Sequence, residues 1–353
     1  MGRGGGIPSL LEKFRSHANS ATYSSFRLGR EGCIRMSSSV DRVGMGGPSA
    51  EVLAEPAGDV ESLLRVRAWE VKESPTDLGY AVVESWPRLP SGWRLGQVAG
   101  VAADSKGRYY VYQRGEEAPP LLCFDRDGVL LQSWGKGVYG RPHMAKCDAE
   151  DNVWLIDDGA HVLYLYSPGG ELLRTLGTGG VLGEDGTHFN RPTDIAFGLA
   201  GGFYVSDGYG NTRVARFDKD LKFLGQWGSL GRGPGEFLLP HAITTDLDGL
   251  VYVADRTNWR VEIFSPEGQF LRQWTHIGRV FGVVCGDDGC FYAVDGTHGR
   301  VTKLDPRGRV VGFFGVPGKG WGQLSEAHDL AVAPNGDVVV GQLDGRAQLF
   351  TRD

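Results

Sequence analysis

The sequence predicts an all-β protein, a six-bladed β-propeller behind an N-terminal leader. Three observations predict it. Glycine makes up 55 of 353 residues, about 16% against a usual share of roughly 7%, with no collagen-like period, so the chain must turn often. Apolar residues are 41% and charged residues 23%, a composition that folds. Finally, a similar unit begins at Val101, Met144, Ile195, Ile243, Val283 and Leu330, recurring every 40–51 residues. A period in the forties with about four short strands per unit is the signature of a propeller blade.

The leader comes first. Residues 1–77 hold Gly, Ser and Arg clusters with little strand pattern, and the first 50 carry seven Lys or Arg against three acids. They read as a disordered or processed head. Initiation at Met36 or Met45 would account for them equally, and a transit peptide is the alternative. A short helix over Glu61 to Val71 is expected. No apolar segment with a cleavage site supports secretion.

The propeller is expected over residues 78–353. The sixth unit runs out at Asp353 after about three strands, and an unpaired sheet edge is a liability. The segment Tyr80 to Trp86 alternates like a strand and precedes the first unit. It is expected to supply the missing outer strand of the sixth blade.

The fourth unit shows how each blade is built. Asp248-Gly249 marks a tight hairpin, because Gly accepts positive φ. Leu250 to Ala254 reads as the second strand and Asp255 ends it. Trp259 to Phe264 alternates as the third. Ser265-Pro266-Glu267-Gly268 turns the chain into an outer strand, Gln269 to Trp274. Similar turns stand at Asp125 to Gly128, Ser167 to Gly170 and Asp305 to Gly308. Such a unit cannot bury both faces alone, so neighbours must stack.

Charge and cysteine bound the function. The net charge of −6 speaks against general nucleic-acid binding. No apolar run approaches the roughly 18 residues of a spanning helix, so no membrane partner is expected. Five cysteines without a CxxC pair suggest neither a disulfide framework nor a zinc knuckle. Cys285 and Cys290 flank a turn and read as small apolar strand residues, a cross-strand disulfide being the alternative. A cytoplasmic monomer is expected, with organelle targeting as the other possibility.

Chemistry is expected from three of the eight histidines. His143, His241 and His328 share one repeat position, just before the first strand of blades two, four and six. Ala99, Thr193 and Phe281 hold that position in the intervening blades. First strands line a propeller's channel, and alternate blades of six lie about 120° apart, so the imidazoles should converge. Three His with an open fourth position is a catalytic zinc arrangement. His161, His188, His276 and His298 fall outside this register and read as turn or surface residues. Tyr209, Arg256 and Arg114 sit in comparable loops after second strands. A phenol and two guanidiniums beside a metal suit an anionic substrate with a proton to remove. Asp157, Asp207, Asp255 and Asp295 recur at the same turn and read as hairpin caps.

These residues resemble a family. The repeat is similar to the NHL type. Arg191-Pro192-Thr193-Asp194-Ile195-Ala196, Tyr204 to Arg213, Gly233-Pro234-Gly235-Glu236-Phe237, Pro240-His241, Ala254-Asp255-Arg256, Gly96 to Val101 and His328-Asp329 resemble the peptidyl-α-hydroxyglycine α-amidating lyase domain, the second half of peptide-amidating monooxygenase. The likeness runs over roughly residues 80–352. It implies a six-bladed NHL-type β-propeller that cleaves N-acyl-α-hydroxyglycine, a carbinolamide bearing a carboxylate, to a primary amide and glyoxylate. It implies zinc on His143, His241 and His328, Tyr209 as the base on the α-hydroxyl, and Arg114 and Arg256 on the carboxylate and developing charge. It also implies a structural calcium held largely by backbone carbonyls in the channel, whose counterparts here lie near Val101, Ala145 and Asp329.

The sequence departs from the family pattern in places. Gly210 stands where the family has a disulfide cysteine after the tyrosine. Ala327 precedes the third histidine where a larger residue is usual. Gly115-Glu116-Glu117 makes the segment after Arg114 more acidic. Two other readings fit the repeat: a metal-dependent hydrolase of lactonase type, and a non-catalytic NHL scaffold. The first predicts acidic channel ligands and the second predicts no shared metal position.

Overall fold

The computed structural model describes residues 76–352, apart from 136 and 138. The expected leader up to residue 75, with its helix over Glu61 to Val71, lies outside the described residues. The described residues contain strands and turns and no helix, hence none long and apolar enough to cross a membrane.

Six blades, each with four antiparallel strands, follow one another along the chain, beside a two-stranded parallel sheet of Val316–Pro317 and Gln323–Leu324. Their inner strands are Val98–Ala103, Pro142–Cys147, Asp194–Phe197, Pro240–Thr245, Val280–Cys285 and Ala327–Val332. The second strands are Tyr109–Gln113, Val153–Asp157, Phe203–Asp207, Val251–Asp255, Phe291–Asp295 and Val338–Gln342, and every residue in them is buried. That double-sided burial explains their near-continuous apolar runs, because each face packs on a neighbouring blade. Outer strands such as Leu130–Trp134 and Phe223–Trp227 alternate between exposed and partly buried residues, the period of a sheet with one wet face. The hairpin at Asp248-Gly249 forms as expected: Gly249 takes φ +85°, and Asp246 Oδ1 accepts the N–H groups of Asp248 (3.0 Å) and Leu250 (2.8 Å).

The ring closes with N-terminal residues. Ala81–Val82 pairs antiparallel with Arg346–Thr351, completing the four strands of blade six. The ladder is shorter than the alternation of Tyr80 to Trp86 suggests, because the chain leaves the sheet to bury Trp86. That indole is 1% exposed, meets Tyr109 and Phe124 of blade one edge-on at 5.8 and 5.7 Å, and donates to the Asp125 carbonyl at 3.1 Å. One segment thus pairs with blade six and anchors in blade one. Thr76–Asp77 adds a short parallel strand outside Val310–Phe314 of blade five, although both residues fall in the segment expected as leader. Cys123, Cys147, Cys285 and Cys290 are free thiols; Cys285 ends an inner strand as read, whereas Cys290 stands just before the strand Phe291–Asp295 and not in it.

Candidate metal centre and its rim

The last residue of each second strand builds the site. It is Gln113, Asp157, Asp207, Asp255, Asp295 or Gln342, and all six are buried. Asp157 accepts the N–H groups of Gly140 and Arg141 at 2.6 and 2.7 Å. Asp255 accepts those of Leu238 and Leu239 at 3.1 and 2.9 Å. Gln342 Oε1 takes the N–H of Ser325 at 2.8 Å. Each bond pins the loop that enters an inner strand, so these side chains set where His143, His241 and His328 begin. The aspartates among them were expected as hairpin caps, and Asp157 Oδ1 does accept the N–H groups of Gly159 and Ala160 in the turn that follows, at 3.0 and 2.8 Å.

The three histidines converge. His143, His241 and His328 are 0%, 0% and 2% exposed. Their ring centroids form a near-equilateral triangle with sides of 5.1, 4.9 and 4.9 Å, and their candidate ligand atoms lie within 4.8 Å of one another. Among the described residues this is the single group of three or more potential metal-ligating side chains.

The other ring nitrogen is fixed in the same way three times. His143 Nδ1 lies 2.6 Å from the Thr193 carbonyl oxygen, His241 Nδ1 2.6 Å from that of Phe281, and His328 Nδ1 2.7 Å from that of Ala99. These acceptors are the residues that occupy the histidine position in the following blade. A carbonyl only accepts, so each Nδ1 carries the proton and each Nε2 keeps its lone pair. Burial holds all three imidazoles well below the ordinary histidine range, His328 down to about 3, with nearby guanidiniums or imidazoles adding to the effect. Neutral, oriented, lone-pair-bearing imidazoles fit a metal of the zinc type, and outer-shell acceptors of this sort orient metal-bound histidines.

Tyr209 stands over this triangle. Its hydroxyl is 3.1 Å from His143 Nε2 and 3.0 Å from His241 Nε2. Gly208 makes the placement possible: a Cβ there would lie 1.9 Å from the Pro240 carbonyl oxygen, a collision that backbone cannot absorb. Gly210 is also tight, since a Cβ would come within 2.1 Å of the Asn190 side chain. A cysteine here would need Asn190 to move.

Guanidiniums ring the phenol. Arg191, Arg256 and Arg141 have Cζ 4.9, 5.6 and 5.9 Å from the Tyr209 ring centroid. Arg114 donates from Nε to the Pro142 carbonyl at 2.7 Å and from Nη1 to Gln97 at 3.1 Å. Arg256 also lies 4.8 Å over Phe281, whose ring Arg279 approaches at 5.3 Å. Asp158 is the acid among them. It is wholly buried and accepts from Arg141 at 2.5 Å and Arg191 at 3.1 Å. Burial raises its carboxyl above the usual range despite these partners. Arg114, Arg256 and Arg279 have no ion-pair partner among the described residues, and each keeps one buried N–H nitrogen without an acceptor: Nη2, Nε and Nε. Burial lowers both Arg114 and Arg256 from the ordinary guanidinium value. Such a rim favours an anion.

All six residues singled out from sequence therefore come together: His143, His241, His328, Tyr209, Arg114 and Arg256. Arg141, Arg191 and Arg279 were not singled out. The signal was present, because they stand two residues before the histidine position, in blades two, three and five. Asp158 directly follows a second strand, the position of Arg114 and Arg256. Of the four other histidines among the described residues, His161 accepts the Arg191 N–H at 3.1 Å and so braces the rim.

The residues that the resemblance gives to calcium look different. Asp329 is the one residue of the set with a side-chain oxygen to offer, and the Lys146 ammonium stands 4.0 Å from its Oδ1 and 3.7 Å from Asp194 Oδ2. A positive charge already occupies this place, and the set does not fit a second cation.

No family model matches the chain. Among curated proteins, the peptidyl-α-hydroxyglycine α-amidating lyase 2 of Drosophila melanogaster is 30% identical over 301 residues, covering 73% of this chain and 70% of that protein. The peptidyl-glycine α-amidating monooxygenase A of Xenopus laevis is 31% identical over 303 residues, 74% of this chain and 32% of that protein. The chain thus spans about a third of that relative's length. NHL repeat-containing protein 3 of Homo sapiens is 34% identical over 210 residues, covering 56% and 60%. Among solved structures, a streptogramin B lyase aligns with TM-score 0.54 at 13% identity over 79% of this chain and 100% of its own. A gluconolactonase of Xanthomonas campestris aligns with TM-score 0.55 at 14% identity over 78% and 96%. At these identities the structural likeness is one of fold.

Proposed function

The chain belongs to the peptidyl-α-hydroxyglycine α-amidating lyase family, and from that premise we propose that it is a zinc-dependent carbon–nitrogen lyase. Its substrate is an N-acyl-α-hydroxyglycine or a close carbinolamide with a carboxylate on the reacting carbon. The products are a primary amide and glyoxylate. The observation that carries this reading is the set of three Nε2 lone pairs, each fixed by a carbonyl on Nδ1, beneath one phenol.

His143, His241 and His328 would hold the zinc. When bound it supplies Lewis acidity that polarises the substrate hydroxyl and eases loss of its proton. The unpaired guanidiniums of Arg256 and Arg114 take the carboxylate, which fixes the carbinol carbon beside the phenol. Tyr209, as phenolate, accepts the hydroxyl proton. The O–H electron pair becomes the C=O bond of glyoxylate, the C–N bond breaks, and its pair leaves on the amide nitrogen. The proton now on Tyr209 returns to that nitrogen, so the base is regenerated and atoms balance. Arg191 and Arg141 beside the ring offset the negative charge of the phenolate.

Two features support this over the other readings. The ligand cluster contains no carboxylate, unlike the acidic set expected of a lactonase-type site. A scaffold would have no use for three buried imidazoles in one register. The deciding experiment combines elemental analysis with glyoxylate release from α-hydroxyhippurate. About one zinc per chain with turnover is expected, and both should be lost in His241→Ala. A protein that binds no zinc, or a His241→Ala variant that keeps its activity, overturns the proposal.

A further inference from the structure

Beyond the imidazoles, the inner strands carry a second buried charge cluster that the lyase reading does not use. Asp194 follows Thr193 in blade three, and Asp329 follows His328 in blade six. These blades face each other across the ring. The two carboxylates bond alike. Asp194 Oδ2 accepts the N–H of Ile243 in blade four at 3.0 Å, and its Oδ1 that of Ile195 at 2.8 Å. Asp329 Oδ2 accepts the N–H of Val101 in blade one at 3.0 Å, and its Oδ1 that of Leu330 at 2.9 Å. Each carboxylate thereby ties its blade to the next, and Asp329 does so across the seam where the ring closes.

Both side chains are 0% exposed. Two buried carboxylates facing each other need positive charge. Lys146 supplies it from blade two. Its Nζ stands 3.7 Å from Asp194 Oδ2 and 4.0 Å from Asp329 Oδ1, with the side chain 13% exposed. A calcium ion wants six to eight oxygens at about 2.3–2.6 Å. Here an ammonium stands among the carboxylates that a calcium would need.

We propose that Lys146 is a covalently attached replacement for a channel cation: its ammonium bridges Asp194 and Asp329, and the propeller needs no calcium to hold its blades together. The inference departs from what the family resemblance implies, and it does not depend on the lyase reading.

The test measures calcium and stability, not turnover. The full chain is dialysed to equilibrium against radioactive calcium at about 1 mM, with free zinc held constant, and is melted with and without calcium chloride. The wild type should bind well under 0.1 calcium per chain, with a Tm that calcium leaves unchanged within about 1 °C. Lys146→Met should melt several degrees lower, take up close to one calcium, and regain Tm when it is added. Should Lys146→Met fail to fold, Lys146→Met/Asp194→Asn removes one charge of each sign and should fold without calcium. Stoichiometric calcium on the wild type overturns the proposal. So does a Lys146→Met variant that melts like the wild type and takes up none, or a double variant no more stable than the single one.

Discussion

The Tyr209 hydroxyl and His241 Nε2 are 3.0 Å apart, so the proposed base touches a proposed ligand. Tyr209→Phe removes one oxygen and leaves the imidazoles and their carbonyls in place. Its zinc content should match the wild type while kcat on α-hydroxyhippurate falls about 10²–10⁴-fold, the usual worth of a positioned base. Near-full kcat in this variant would remove Tyr209 from the chemistry.

Arg256 faces the site with a buried Nε that has no acceptor. Arg256→Ala should raise KM for α-hydroxyhippurate tenfold or more. N-(hydroxymethyl)benzamide lacks the carboxylate, and its turnover should change little. Equal losses on both compounds would show that Arg256 does not read the carboxylate.

The closing segment should matter to both stability and metal. Trp86 is 1% exposed, and truncating a buried tryptophan costs about 3–5 kcal/mol. The bond that orients His328 runs to Ala99 across the same seam. Trp86→Ala should therefore lower Tm and also weaken zinc retention against a chelator at temperatures well below the melt. A lowered Tm with unchanged zinc retention would uncouple the seam from the site.

Glu262 gives the fold a pH dependence. It is wholly buried. Its Oε1 lies 3.2 Å from the Gly235 N–H and 3.4 Å from Arg260 Nη1, and its Oε2 has no partner. Burial pushes its carboxyl up to about 7 against an ordinary 4.5, with Arg260 offsetting part of the rise. The folded protein therefore holds this proton to higher pH than the unfolded chain. Stability should fall as pH rises from about 4.5 to about 7 and then level off, by at most about 3 kcal/mol from this group. Urea unfolding of wild type and Glu262→Gln at pH 5 and pH 8 measures it. The variant should lose less stability between these values, and parallel losses would contradict the assignment.

Register made much of this molecule legible before any coordinates. The six units, the closing strand and the alternation of His143, His241 and His328 all follow from counting along a repeat, because equivalent positions become neighbours once the ring forms. The same counting reaches Arg141, Arg191 and Arg279, but a lone arginine before a strand resembles any solvated side chain until the phenol beside it is placed. Lys146 was harder to read. Its partners are Asp194 in the adjacent blade and Asp329 in a blade that meets it only after closure, so no local pattern joins them. The carbonyls of Ala99, Thr193 and Phe281 belong to the backbone and leave no residue signature, although the repeat had marked their positions as the ones without histidine.

That alternation carries an arithmetic constraint on how such a ring can grow. Around the axis the order is imidazole, carbonyl, imidazole, carbonyl, and each imidazole leans on the blade after it. Only an even count of blades lets the sequence return to its start without a defect. Adding or deleting a single blade would set two like positions side by side and strip one imidazole of its support, or leave one carbonyl without a ring to steer. Blades bearing this centre can be gained or lost only in pairs, so the parity of the ring is fixed by hydrogen bonds that no single blade contains.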